Sequence, residues 1–225
     1  MPLWLWSLHF LGNDCTVTPT DLPPRPAGTR PPGRPLSTEL SEQLVSVAMD
    51  ILADEGWGRL NSDRVAARAR AGKAGIYRRW PTMAALARHA LSTVTLVEVP
   101  ADGGTLTADL CALLLPWTRP LDRAERAAAS LVGASRHDDE LRAGLAESLV
   151  QPLAVAVREL TDREAARGRE LPPERTALLG QVLQALWWQR YTSFATAPMP
   201  TAEVEQLVAD VLLPVLEPSR VGARG

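Results

Sequence analysis

Apolar residues recur with helical spacing along most of the chain, and this periodicity restricts the fold more than any other feature of the sequence. The first run extends from Ser37 or Thr38 to Glu55, and that spacing is typical of an amphipathic helix. Its apolar stripe consists of Leu40, Leu44, Val47, Ala48, Ile51 and Leu52. No strand-like alternation interrupts the later runs, so the sequence predicts an all-α fold of about nine helices.

Two short helical runs, separated by about three residues, follow the first helix. The predicted elements are a second helix from Asn61 to Arg70, a third from Gly72 to Arg79 or Trp80, and a fourth from Thr82 to Val94. Asn61 and Thr82 are suitable N-caps, and Pro81 cannot continue a helix. Two short helices behind a longer amphipathic one predict a helix-turn-helix head with a connecting helix over residues 37–96.

Positive charge is concentrated in this predicted head. The whole chain has a formal net charge of −2, but residues 59–88 contain eight arginine and lysine residues and one acidic residue, Asp63. The local balance is therefore +7, and the rest of the chain sums to −9. This asymmetry favours a lobe that faces a polyanion such as DNA.

A set of motifs in the head has the order and spacing of a known family. It consists of Leu44, Ala48 and Leu52, then Glu55-Gly56-Trp57, Val65-Ala66-Ala67-Arg68-Ala69 and Lys73-Ala74-Gly75-Ile76-Tyr77-Arg78-Arg79-Trp80-Pro81. With these residues the stretch from Leu44 to Leu91 resembles the DNA-binding domain of the tetracycline-repressor (TetR) family. The resemblance implies a recognition helix at about Lys73 to Arg79 and a fourth helix that leads to an effector domain.

The third helix has two distinct faces. Ile76 is expected to point inward, while Lys73 and Tyr77 share the outward face that a major groove would meet. Arg78 is expected on the DNA backbone, and Lys73 and Arg79 can reach base edges or phosphates. The candidate DNA-contacting residues are Asn61, Ser62, Arg70, Lys73, Ala74, Gly75, Tyr77, Arg78, Arg79 and Thr82.

Four positions depart from the family pattern. Arg70 stands where the turn commonly has glycine, so it must adopt a left-handed conformation at a cost of about 1–2 kcal/mol or shift the turn. Gly72 replaces the usual Ser or Thr cap, Gly75 replaces a common groove-facing Thr, and Met83 replaces a frequent phosphate-binding lysine. These departures keep open an alternative function, a TetR-like ligand-binding or interaction protein whose head no longer binds DNA specifically.

Residues 97–217 are predicted to form a helical ligand-binding and dimerisation domain. The candidate helices are Leu106 to Trp117, Arg123 to Ala134, Asp139 to Arg167, Pro173 to Ala195 and Thr201 to Leu216. Pro152 falls inside the third of these helices and is expected to kink it or mark a break.

Aromatic residues cluster in the predicted helix over 173–195. They can form a pocket that stacks a small apolar or aromatic effector, but core or dimer packing explains each of them as well. The candidate ligand-binding residues are Trp117, Trp187, Trp188, Tyr191, Phe194 and Met199.

The resemblance also implies a homodimer in which the last two long helices pair with their symmetry mates. Their apolar stripe consists of Leu178, Val182, Leu186, Val204, Leu207, Val208, Val211 and Leu212. A two-fold dimer would place its recognition helices about one turn of DNA apart and prefer a near-palindromic operator. Effector binding would then change this spacing and release the DNA.

The sequence gives little support for an enzyme, a metal-binding protein or a membrane protein. His9, His89 and His137 are scattered, Cys15 and Cys111 have no metal-ligand spacing, and hydrolase, P-loop and dinucleotide motifs are missing, so no enzyme, cofactor or metal site is predicted. The apolar residues 1–12 are too short to span a bilayer. A cytoplasmic, nucleoid-associated protein without a membrane partner is expected.

The two ends of the chain are expected to lie outside the folded domains. Residues 1–36 are predicted to be a disordered Pro/Gly-rich extension, and residues 218–225 a flexible tail. Arg25, Arg30 and Arg34 within the extension either enter an adjacent minor groove or belong to a solvated arm without a role.

Overall fold

The computed structural model describes residues 37–193 and 197–217, and this part of the chain contains helices and no strands. The helices are α1 (Thr38–Asp54), α2 (Ser62–Arg68), α3 (Lys73–Tyr77), α4 (Met83–Ser92), α5 (Leu106–Leu113), α6 (Arg123–Leu131), α7 (Asp139–Leu145), α8 (Gln151–Ala166), α9 (Pro173–Thr192), α10 (Thr201–Leu207) and α11 (Leu213–Val215). One π-helical turn joins α7 to α8 and another joins α10 to α11, so the described residues form nine continuous helical segments, apart from three short 3₁₀ turns at Trp57–Arg59, Leu115–Thr118 and Ala134–Arg136. The predicted all-α fold is confirmed.

The predicted capping residues begin three helices of the head. The Ser37 hydroxyl accepts from Leu40 N at 3.4 Å, the Asn61 side chain from Arg64 N at 2.9 Å, and the Thr82 hydroxyl from Ala85 N at 3.0 Å. Each bond satisfies one of the backbone N–H groups that a helix start leaves without an intrahelical partner. Local sequence therefore determines where the helices of the head begin.

A single apolar core extends from the head into the C-terminal part. Leu44, Leu52, Val65, Ile76 and Leu86 are fully buried and hold the first four helices together. Helix α1 also packs along α6, and α4 packs along α7. The head and the C-terminal helices therefore share packing surfaces through two helix pairs.

Pro152 does not break the helix in which it lies. The π-helical turn Ala146–Val150 immediately precedes it, and the chain stays helical from residue 139 to residue 166. A proline has no N–H to donate to the carbonyl four residues earlier, here that of Ser148. That carbonyl instead accepts from Leu96 N at 3.0 Å, which attaches the segment after α4 to the π-helical turn.

The predicted N-terminal extension, with Arg25, Arg30 and Arg34, and the predicted tail 218–225 lie outside the described residues. Within residues 37–193 and 197–217, no helix combines the length and apolarity needed to cross a membrane.

Candidate DNA-binding head and effector cavity

The turn between α2 and α3 is closed by a Schellman motif. Ala71 N donates to Ala66 O at 2.9 Å, and Arg70 N lies 3.4 Å from Ala67 O. This motif requires a left-handed residue after the C-cap, a position at which glycine is usual. Arg70 occupies it with φ +49°, the one positive φ outside glycine among the described residues. The turn keeps its shape at a cost in backbone strain.

Helix α3 presents one buried and one exposed face. Ile76 is fully buried beneath it, whereas Tyr77 is 49% exposed and Lys73 and Ala74 also face solvent. Its N-terminus has no side-chain cap, because Gly72 supplies none. The short helix therefore depends on the burial of Ile76 and offers a small polar face to a partner.

Half of the eight positively charged residues counted in the head are held in ion pairs with acidic residues. Glu55 forms ion pairs with both Arg64 and Arg68. Asp63 lies 2.5 Å from Lys73 Nζ, and this hydrogen-bonded contact raises the pKa of the Lys73 ammonium. The sequence count included Asp63 but not Glu55, which lies just outside the counted segment.

Arg88, on α4, is the other paired cation of the segment. Its guanidinium lies 2.5 Å from Glu147 and 3.0 Å from Glu140, two carboxylates from the distant part of the sequence that forms α7 and the following π-helical turn. These two contacts raise the pKa of Arg88 above its ordinary value. Arg88 therefore joins the head to the C-terminal part and is not available to DNA in this arrangement.

Three arginines of the head keep their charge without a partner. The side chains of Arg59, Arg70 and Arg78 are exposed and form no ion pair or hydrogen bond with any residue in the described ranges. Arg70 and Arg78 belong to the predicted DNA-contacting set, and Arg59 does not. An unpaired arginine on the surface can meet a phosphate without first breaking an internal contact.

Arg79 is held inside the head. Its Nε donates to Ser41 Oγ at 2.8 Å, its Nη1 to Gly75 O at 2.8 Å, and its Nη2 to Ser37 O at 3.1 Å. These bonds attach the end of α3 to the start of α1. The structure thus gives Arg79 a positioning role that the prediction of a DNA-contacting side chain did not include.

Helices α4 and α7 approach closely at Gly144. A Cβ atom at this position would lie 3.1 Å from Arg88 Cα, which is closer than ordinary van der Waals contact. Glycine permits this close approach of two backbones, and a larger residue would require one of them to shift by a few tenths of an ångström. The contact fixes the distance between the connecting helix and the C-terminal part.

A cavity of about 780 Å³ opens beside the segment that follows α4. Residues 95–101 form one wall, and α5, the turn after it and α6 form the others. Trp187 lies at its floor and is fully buried. The volume is in the range of small-molecule sites in proteins.

The structure divides the predicted ligand-binding residues between two places. Trp187 lines the large cavity, whereas Trp117 and Met199 line a smaller one of about 180 Å³ and are joined by a bond from Met199 N to Trp117 O at 2.9 Å. Among the described lining residues, Trp188 and Tyr191 belong to neither. Phe194 lies outside the described residues.

The buried aromatic residues form one cluster. The rings of Trp117 and Trp187 are 6.2 Å apart in an edge-to-face arrangement, and those of Trp187 and Tyr191 are 6.0 Å apart. The Arg190 guanidinium lies 5.8 Å from the centre of the Trp117 ring. Trp117 Nε1, Trp187 Nε1 and Tyr191 OH are buried and have no hydrogen-bond partner among the described residues.

A buried carboxylate, Glu125, lines the large cavity together with Trp187. Glu125 is only 2% exposed and accepts from Arg119 at 2.6 Å, from Arg190 at 3.3 Å and from Asp122 N at 2.8 Å. Burial, followed by the nearby Glu125 charge, raises the pKa of Tyr191 above its ordinary value. Two arginines and a backbone N–H thus satisfy Glu125, and Tyr191 stays neutral.

The predicted dimer stripe is divided between the protomer core and its surface. Val204, Val208 and Leu212 are buried within the protomer and are not free for a partner chain. Leu178 and Val211 are 38% and 41% exposed, and Val182, Leu186 and Leu207 are half-buried. Helical periodicity predicted that these positions are apolar. It could not tell which of them face the core of the protomer and which face solvent.

Two family models match the chain. A model of bacterial regulatory proteins of the tetR family covers residues 44–90, and a model of a tetracyclin repressor-like C-terminal domain covers residues 100–211. The two matches together span the head and most of the C-terminal helices.

Curated relatives are similar over nearly their whole length. A DNA-binding transcriptional repressor TetR of Mycobacteroides abscessus is 30% identical over 82% of this chain and 96% of its own. The HTH-type transcriptional regulator Rv1556 of Mycobacterium tuberculosis is 32% identical over 82% of this chain and 90% of its own.

Solved structures share the fold. The TetR family transcription regulator SCO0332 has a TM-score of 0.55 at 24% identity, with 80% of this chain and 100% of that chain covered. Salmonella enterica GusR has a TM-score of 0.57 at 12% identity, with 78% and 96% covered.

Proposed function

The chain belongs to the TetR family of DNA-binding transcription regulators, and on that premise we propose that it is a ligand-responsive repressor. It binds a near-palindromic operator as a homodimer and is released by a small effector with a largely apolar or aromatic surface. Its site of action is the bacterial cytoplasm, on the DNA. The family consists of regulators rather than enzymes, and we assign the chain no catalytic step.

The exposed face of α3 carries this proposal. Ile76 anchors the helix in the core, while Tyr77 and Arg78 project from it with no internal partner for the Arg78 charge among the described residues. A phenol and a guanidinium on a short exposed helix suit phosphate and base-edge contacts in a major groove. The Lys73 ammonium is paired with the Asp63 carboxylate. It must leave this carboxylate, or contact both groups at once, when it binds a phosphate of the DNA.

The exposed residues of the last two helical segments support a homodimer. Leu178 on α9 and Val211 on the π-helical turn after α10 are large apolar side chains on the surface of the protomer. Symmetric pairing of these helices would remove both side chains from water. It would also place two heads on one DNA duplex.

The position of the large cavity supports control by an effector. Its wall, residues 95–101, follows directly on α4, the helix that connects the head to the C-terminal part. Leu96 N–H is bonded to the π-helical turn, and Arg88 on α4 is bonded to Glu140 and Glu147. A ligand that displaces this wall would change the direction of α4 and so the spacing of the two heads.

A footprint of the purified protein on the DNA upstream of its own and neighbouring genes tests the proposal. We expect protection of a near-palindrome against a nonspecific competitor, with affinity that falls as salt rises. Arg78→Ala should weaken binding at least about tenfold and lower the salt slope by about one. Arg158→Ala is the control. Arg158 is exposed on α8 and its side chain has no ion-pair partner among the described residues, so its loss should leave binding unchanged.

Sequence-blind binding that vanishes at moderate salt would contradict the repressor function. It would instead favour the alternative of a ligand-binding or interaction protein with a degenerate head, for which the strained Arg70 and the uncapped start of α3 give structural grounds.

A further inference from the structure

The large cavity has an excess of negative charge on its walls. Four of its described lining residues are ionisable: Glu98, Arg119, Asp122 and Glu125. Arg119 is the one cation among them, and it is shared by Glu125 at 2.6 Å and Asp122 at 3.0 Å. A second arginine, Arg190, does not line the cavity but lies 3.3 Å from Glu125. Even with this charge included, the carboxylates outnumber the guanidinium groups by one.

Glu98 is the carboxylate that remains without compensation. Its side chain forms no ion pair or hydrogen bond with any residue of the described part of the chain, and it lies on the cavity wall formed by residues 95–101. The same residue also borders a neighbouring cavity of about 460 Å³, whose other ionisable lining residue is Glu147. Glu147 is paired with Arg88. Neither cavity therefore offers an unpaired cation among its described lining residues.

The remaining surface of the cavity is mostly apolar. Its apolar lining includes Leu96, Val97, Val99, Leu113, Leu115 and Trp187. Apolar walls favour a ligand with little polar surface. An anion in the cavity would be repelled by the unpaired Glu98 carboxylate, since two like charges close together disfavour each other.

We propose that the cavity selects lipophilic monocations, molecules with an apolar body and one positive charge, and discriminates against carboxylates and phosphates. The inference rests on the proposed effector function of the same cavity. The apolar body lies among the walls next to Trp187, and the positive charge lies towards Glu98. Binding then pushes the wall 95–101 from the side that faces α5 and α6.

Two ions of the same shape and opposite charge provide the test. Tetraphenylphosphonium and tetraphenylborate both carry four phenyl rings around a central atom, so that their difference in affinity reports the sign of charge that the cavity prefers. We expect calorimetry at low salt to show the phosphonium binding at least about tenfold more tightly than the borate. We also expect the phosphonium, and not the borate, to release the operator.

Matched variants locate the effect. Glu98→Gln should weaken phosphonium binding about two- to fivefold, a change that shrinks with salt because Glu98 is exposed. Glu170→Gln, which removes an exposed charge outside the cavity lining, should leave the affinity unchanged. Ala112→Phe places a ring in the cavity and should abolish binding, whereas Ala165→Phe, at an exposed position of α8, should not.

The outcomes separate this inference from the proposed function. Equal affinities, a preference for the borate, or no binding of either ion would overturn the cation selectivity while an observed footprint keeps the repressor function. Phosphonium binding that Ala112→Phe removes, in a protein that shows no specific footprint, would support the cavity chemistry and contradict the repressor function.

Discussion

At the scale of single residues, Arg70 shows how the head keeps its geometry at a local cost. Its φ of +49° is a conformation that costs a non-glycine residue about 1–2 kcal/mol. We expect Arg70→Gly to raise the free energy of unfolding by about 0.5–1 kcal/mol, since glycine relieves this strain but loses more entropy on folding. Urea unfolding followed by circular dichroism measures the change.

Arg70→Ala is the control for that substitution. Alanine removes the guanidinium and keeps the Cβ, so the strain should remain and the free energy of unfolding should stay near that of the parent chain. An alanine variant as stable as the glycine variant would show that the side chain, and not the backbone conformation, determines the effect.

The Lys73–Asp63 pair leads to a second prediction at this scale. Asp63 holds Lys73 Nζ at 2.5 Å in the protein without DNA, so Asp63→Asn should free the ammonium for a phosphate. We expect operator affinity to rise about two- to fivefold at low salt, and less at high salt. Fluorescence anisotropy with a labelled operator measures it.

Asp54→Asn is the control for Asp63→Asn, because both substitutions remove one negative charge. Asp54 pairs with Arg126 at 3.2 Å outside the exposed face of α3, so its loss changes the net charge by the same amount without freeing Lys73. An equal gain for both variants would mean that net charge alone controls the affinity.

Residue identity alone predicted the caps and the exposed face of α3, because both depend on neighbours within a few positions. It did not predict which charges are free. Glu140 and Glu147 are more than fifty residues from Arg88 in the chain, and only the packing of α4 on α7 brings them together. A count of charges within one segment cannot include such partners.

At the scale of helices, the contact at Gly144 determines how closely α4 lies against α7. Gly144→Ala would place a Cβ 3.1 Å from Arg88 Cα, so one helix must move. We expect the free energy of unfolding to fall by about 1–3 kcal/mol, and operator affinity to change, because α4 carries the head. Thermal unfolding and anisotropy measure the two effects.

Gly133→Ala is the matched substitution outside this contact. A Cβ at Gly133 meets nothing within 4 Å, and its φ of −64° suits alanine. It should therefore stabilise the protein by about 0.4–1 kcal/mol and leave operator affinity unchanged. If the two variants shifted stability in the same direction, close approach at Gly144 would not be the cause.

The helices themselves were largely predictable, since apolar periodicity and caps are local features. Pro152 was the exception at this scale. A kink or break was predicted there, and the structure instead has a π-helical turn directly before the proline. The Ser148 carbonyl, which has no helical N–H partner, accepts a hydrogen bond from Leu96 N. That partner comes from the segment after α4, which sequence periodicity does not connect to α7 or α8.

At the scale of the whole molecule, the cavity shows where prediction from sequence ends. The aromatic residues of α9 were predicted to line a pocket, and one of them, Trp187, lines the large cavity. Its main wall, however, is the irregular segment 95–101, which has no helical pattern to mark it. A cavity is formed by elements that meet from separate parts of the chain, so its lining depends on packing rather than on local pattern.

The dimer is the last property that belongs to this scale. Leu178 is 38% exposed on α9, and we propose that a second copy of the chain covers it. A charge there would have to be buried without a partner on association, so we expect Leu178→Glu to leave the protomer folded, convert the dimer to a monomer, and weaken operator binding at least about tenfold. Sedimentation velocity and anisotropy measure the two effects.

Val155→Glu distinguishes loss of the dimer from a general effect of surface charge. Val155 is 52% exposed on α8, outside the last two helical segments, so its substitution should keep both the dimer and the footprint. A Leu178→Glu protein that remains dimeric would place the interface elsewhere. Because a single head meets only one half-site, a monomer that still bound the full operator with parent affinity would contradict the symmetric arrangement on which effector release depends.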